Sequence, residues 1–153
     1  MHTTRGTIGF VTLLAMVCGL VLGGFSSPAA AHRAEAHRIV VTTNKDVVDP
    51  PFNPAGLCGT GTITNLPGAD GKISLREAII AANNTPGAKS ITFAPNLSGT
   101  TIMLTRSLAF CGGHTTLTGD VNGDDTPDIT IDGTAVSFPF DVIDVFGQVH
   151  QFL

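Results

Sequence analysis

After Gly87 the apolar residues of this chain arrive only in brief runs, each cut off by Gly or Asp: Ser90-Ile91-Thr92-Phe93, Thr101-Ile102-Met103-Leu104, Thr115-Thr116-Leu117-Thr118 and Asp128-Ile129-Thr130-Ile131. Runs of four residues cannot build helices, and each holds an alternating apolar position or two, the signature of short strands. Their starts lie roughly 11 to 14 residues apart, a spacing that fits either a sandwich or a stack of coils and does not choose between them. Earlier, Arg38 to Thr43 reads as a first, β-branched strand. The chain has no Trp or Tyr but 18 Gly and 9 Pro, which favours strands and turns over long helices. Ile, Val, Leu and Phe recur throughout, so the composition is not that of a disordered chain.

One segment breaks the pattern. Ser74-Leu75-Arg76-Glu77 is a capping box: the Ser74 hydroxyl accepts the N–H of Glu77, and the Glu77 carboxylate reaches back to the N–H of Ser74. Ile73 and Ala78 are placed for the accompanying hydrophobic staple. Leu75, Ala78, Ile79 and Ala82 form one apolar stripe at helical spacing, with Arg76, Ala81 and Asn83 elsewhere on the surface. Asn83-Asn84-Thr85-Pro86-Gly87 stops the helix, which is expected from Ser74 to Asn84. Before it, Asp46 to Gly71 is dense in Pro, Gly, Asn and Asp and reads as a long loop.

The first 31 residues have the parts of a secretory signal peptide: Arg5, an apolar stretch from Ile8 to about Gly24, and Ala29-Ala30-Ala31 before the cleavage point. Ala34-Glu35-Ala36 offers a second cleavage site. The apolar stretch falls short of the roughly 20 residues that span a bilayer and is interrupted by glycines, so no membrane span is expected after cleavage. The expected organisation is a signal peptide over 1–31, a disordered mature N-terminus over 32–37 and one domain over 38–153, outside the cytoplasm or at the cell surface. A formal net charge of -4 lacks the basic footprint of a nucleic-acid binder. Cys58 and Cys111 survive cleavage in a compartment where a disulfide persists, and both a bridge and two free thiols are open readings.

Chemistry is sparse. Asp120, Asn122, Asp124 and Asp128 have the alternate spacing that turns oxygen ligands toward a calcium ion, the single cofactor the sequence suggests. The stretch is not an EF-hand, because Asp125 stands where that loop needs Gly and Ile131 where it needs a bidentate Glu; a polar turn is the competing reading. Cys111 and His114 lack the further pair that tetrahedral zinc needs. No Ser/His/Asp or Cys/His arrangement stands out, and no catalytic residue is assigned.

Gly71-Lys72-Ile73-Ser74-Leu75-Arg76-Glu77-Ala78-Ile79, followed by Ala81-Ala82-Asn83 and Ile91-Thr92-Phe93, resembles the CSLREA-type domain, over Ile39 to about Gly133. That module is similar to the opening segment of bacterial secreted or surface proteins that continue as right-handed parallel β-helices of the pectin-lyase-like kind. The resemblance implies a mostly β fold, the start of a right-handed parallel β-helix with one short capping helix, in which Ser74, Leu75, Glu77 and Ile79 are structural. It implies a non-catalytic scaffold or adhesion module, with carbohydrate or a surface protein as partner. The alternative is the N-terminal fragment of an extracellular β-helical polysaccharide lyase or hydrolase, for which Asp141 and Asp144 are the acids to consider. Ile73 stands where the family name carries a cysteine, which removes the local partner of Cys58 and points to Cys111. A solenoid needs about three repeats for a continuous core, so the chain is expected to be truncated, with Ala135 to Phe140 and Val142 to Phe146 beginning a further coil.

Overall fold

The computed structural model describes residues 36–137, 142–146 and 151–152, so the expected signal peptide and residues 32–35 of the segment after it lie outside the described residues. Among these described residues eight strands and one α-helix follow one another as β1 (His37–Val41), α1 (Leu75–Asn83), β2 (Lys89–Phe93), β3 (Thr101–Met103), β4 (Leu108–Phe110), β5 (Thr115–Leu117), β6 (Thr130–Asp132), β7 (Ile143–Val145) and β8 (Gln151–Phe152). His37, expected in the disordered N-terminus, opens β1, where its own N–H donates to Ala88 O.

Among the described residues these strands pair in parallel, in three sheets: β1-β2-β5-β8, β3-β6 and β4-β7. The chain visits the sheets in turn. β2, β3 and β4 contribute one strand to each, and β5, β6 and β7 then pair with them in the same order. The architecture is therefore mostly β with parallel sheets, and the antiparallel sandwich allowed by the strand spacing is ruled out for the described residues.

Register explains how such short runs find one arrangement. Ile39 pairs with Ile91 and Ile91 with Leu117, while Val41 pairs with Phe93, so apolar side chains stack strand over strand. A slip of one residue would turn each of them out of the core. Ile102 over Ile131 and Leu108 over Ile143 repeat the device in the other two sheets. Each fully buried Ile or Leu contributes roughly 1.5–3 kcal/mol, and the stacking shares that burial between layers.

The helix is the crossover between parallel strands β1 and β2, and it packs on β1, β2 and β4. Leu75 and Ile79 are buried as expected from the apolar stripe, but Arg76 and Ala81, expected on the surface, are buried too. A stripe read from sequence supposes water on the opposite face. Here the 46–71 segment covers that face: Asn84 Nδ2 donates to Gly59 O, Thr85 Oγ1 accepts from Ile63 N, and Gly59 lies against the Ile80 side chain. The segment also carries a 3-10 turn at Ile63–Asn65. Two strands escaped the sequence reading, β4 and β8, because runs of three and two residues are too short to display alternation.

Candidate functional site: the leading edge of the strand stack

The first strands of a parallel stack leave backbone groups facing away from the next layer, and an unpaired edge recruits other strands. In the first sheet β1 covers β2. For β3 and β4 the task falls to side chains. Leu108 and Phe110 turn their backbone groups to the β7 side, where Leu108 N donates to Val142 O at 3.0 Å and Phe110 O accepts from Phe146 N at 2.8 Å. Ala109 and Cys111 therefore point the other way, and Asn83 meets both: Nδ2 donates to Ala109 O at 2.7 Å, and Oδ1 accepts from Cys111 N at 2.9 Å and Gly112 N at 3.2 Å. One side-chain amide thus supplies the donor and acceptor that a residue of a further parallel strand would supply.

Gly112 allows this approach. A Cβ there would lie 2.9 Å from both Asn83 Cα and Asn83 O, so no larger residue fits without moving the helix end.

Arg76 and Asp46 close the preceding stretch. The guanidinium forks onto the carboxylate, Nε to Oδ1 at 2.7 Å and Nη2 to Oδ2 at 2.8 Å, with side chains 7% and 2% exposed. The remaining donors go to the backbone: Nη1 to Ser107 O and Nη2 to Arg106 O, each at 2.7 Å. Asp46 Oδ2 in turn accepts from Thr105 N and Thr105 Oγ1. Burial opposes ionisation of Asp46, but the hydrogen bonds from Arg76 and Thr105 and the Arg76 charge outweigh it and hold the carboxyl below its ordinary value. Asn44 Nδ2 extends the row to Thr101 O at 3.5 Å. From Thr101 to Gly112 the outward edge is met by four polar side chains: Asn44, Asp46, Arg76 and Asn83.

The capping box places them. Ser74 Oγ accepts from Glu77 N at 3.1 Å, and Ser74 N donates to Glu77 Oε2 at 2.9 Å. Glu77 is 1% exposed and its second oxygen accepts from Asp49 N, so the same carboxylate caps the helix and anchors the covering loop. Ser74 Oγ also donates to Val47 O. The Cys58–Cys111 disulfide fastens the loop to the end of β4, beside Asn83.

The acidic turn lies apart from this edge. Asp128 accepts from Val121 N, Asn122 N and Ser98 Oγ; Asp120 from Gly123 N and Asp125 N; Asp124 from Thr126 N, Thr126 Oγ1 and Asn122 Nδ2; and Asn122 Oδ1 from Asp124 N. These bonds, led by Thr126 for Asp124 and by Val121 N for Asp128, hold both carboxyls below their ordinary value. Among the described residues no group of three or more His, Cys, Asp or Glu is arranged to hold a metal ion. Of the two acids weighed for glycoside cleavage, Asp144 falls in β7 and Asp141 lies outside the described residues.

Asp46 and the edge-facing role of Asn83 were not legible in the sequence. Asp46 is 30 residues from Arg76 in a loop rich in turn formers, and Asn83 reads equally well as a helix stop. Comparison with family models, with curated proteins and with solved structures finds no match to this chain. Among the described residues no helix is long and apolar enough to cross a membrane.

Proposed function

We propose that this chain is an exported structural module, the N-terminal cap and first coils of a right-handed parallel β-helix, with a scaffold or adhesion role outside the cytoplasm. The observation that carries the reading is the row of side chains on the outward edge of β3 and β4. Asn44, Asp46, Arg76 and Asn83 direct their polar atoms to backbone groups and, for Arg76 and Asp46, to one another, an arrangement suited to ending a strand stack. The visiting order of the three parallel sheets suits a coil, and the Cys58–Cys111 bridge suits an oxidising compartment. The Ser-Leu-Arg-Glu-Ala resemblance supports the same reading. A surface carbohydrate or surface protein is the partner class that such a scaffold would present to.

Two measurements test it. N-terminal sequencing of protein recovered from the medium of an expressing bacterial culture is expected to begin at His32, directly after Ala31; intact chain retained in the cytoplasm would contradict export. Replacing Asn83 by Leu and Arg76 by Met together is expected to abolish the cooperative thermal transition of the strand signal in circular dichroism. A melt unchanged by both substitutions would refute the capping role.

Calcium at the 120–128 turn would have to draw Asp120 and Asp124 away from the amides they accept from. A melting temperature raised by millimolar calcium, and not by magnesium, supports the site; equal melts with calcium and with chelator would remove it.

A further inference from the structure

On the outward edge of β4 one backbone group is left without a partner. A residue of a further parallel strand would donate its N–H to one carbonyl of β4 and accept, at its own C=O, from the N–H two residues on. Asn83 supplies both halves of that exchange, to Ala109 O and from Cys111 N. At the preceding position, formed by Ser107 O and Ala109 N, Arg76 Nη1 supplies the donor. A guanidinium has no acceptor, so the N–H of Ala109 has no partner among the described residues. Arg76 also keeps a spare donor. Four of its five N–H groups go to Asp46, Ser107 O and Arg106 O, and one Nη1 hydrogen is left over.

The gap faces a cleft of about 140 Å³. Arg76, Ile79, Ile80 and Asn83, on one face of α1 at helical spacing, line it opposite Ser107 and Ala109, and so bracket the unfilled N–H on both sides. Leu57, from the covering loop, completes an apolar wall with Ile79 and Ile80. The cleft reaches solvent: Leu57 is 59% exposed and Ala109 is half-buried. Among the described residues that line it none is acidic, and Arg106, which is exposed, has no ion pair among the described residues. Engineered cavities of about 150 Å³ hold benzene, so the space suits one ring or a short aliphatic chain.

We propose that this cleft binds a small carboxylate with an apolar body. Its oxygens accept from the Ala109 N–H and the spare Arg76 hydrogen, its body lies against Leu57, Ile79 and Ile80, and Arg106 supplies the counter-charge. Water would fill the acceptor position alone, leaving Arg106 uncompensated and the apolar wall wet.

The test is a titration of the isotope-labelled, disulfide-bonded chain with sodium benzoate, benzamide and sodium chloride in separate arms at constant ionic strength, followed by amide and methyl resonances. With benzoate, the Ala109 amide is expected to move downfield, as a newly hydrogen-bonded N–H does, and to saturate in step with the Ile79 and Ile80 methyl groups. Benzamide keeps the ring and an acceptor oxygen but lacks the charge, and is expected to bind at least fivefold more weakly; chloride is expected to give no saturable shift. Arg106→Gln, a substitution at an exposed position, is expected to keep the amide spectrum of the folded chain and to weaken benzoate binding about fivefold, the upper end for a partly exposed ion pair. Absence of saturable shifts with benzoate overturns the proposal. So does an Ala109 amide that stays in place while other resonances move, benzamide binding as tightly as benzoate, or unchanged benzoate affinity in Arg106→Gln.

Discussion

Arg76 and Asp46 illustrate why a buried pair is costly to divide. Each charge is tolerated out of water because the other is held against it by two hydrogen bonds and because the remaining polar atoms are met by Arg106 O, Ser107 O and Thr105. Arg76→Met leaves Asp46 buried without its counter-charge and is expected to cost about 3–5 kcal/mol in urea unfolding. Combining it with Asp46→Leu is expected to recover much of that loss, since an apolar pair of similar volume needs no partners. The pair also sets a pH dependence. The Asp46 carboxyl is lowered in the folded state from an ordinary value of 3.8, so its contribution is complete above that value and is lost as pH falls through the folded one. Urea midpoints are therefore expected to drop on acidification below about pH 4, and to drop less steeply in Asp46→Asn, which starts from a lower midpoint at neutral pH. A variant that follows the wild-type acid profile would remove Asp46 from the account.

Among the elements, α1 was legible because its signals are local: Ser74 and Glu77 are three residues apart and cap the helix regardless of what surrounds it. Strands β1, β2, β3 and β5 were legible from β-branched runs, and β6 within a residue or two. What the local signals could not carry is the covering of the helix by the 46–71 loop, which buries Arg76 and Ala81 through partners distant in sequence. Nor could they tell which of Asn83 and Asn84 meets β4, because both stop a helix equally well. The disulfide acts at this scale. Its cysteines are 53 residues apart, so Cys58→Ser with Cys111→Ser is expected to lose about 4 kcal/mol by the loop-closure estimate. A loss below about 1 kcal/mol would mean that the loop is held by its hydrogen bonds alone. Gly112→Ala presses a methyl group against Asn83 at the end of α1 and is expected to destabilise measurably, by overpacking and by displacing the Asn83 amide from Cys111 and Gly112.

For the molecule as a whole, the two ends of the strand stack differ. At the leading end, β1 pairs with β2, and four polar side chains from the loop and α1 bond backbone groups of Thr101, Thr105, Arg106, Ser107, Ala109, Cys111 and Gly112. The apolar ladders Ile39-Ile91-Leu117 and Ile102-Ile131 run on from there through the sheets. Closure at the start is the claim on which the capping function depends, and native-state hydrogen exchange reads it residue by residue. Among the described residues no strand lies on the outward side of the Cys111 and Gly112 amides, yet the account predicts exchange orders of magnitude slower than that of an unstructured chain, with Asn83→Leu releasing these two amides before those of β4. Exchange of Cys111 and Gly112 at the unprotected rate in the wild-type protein would contradict it.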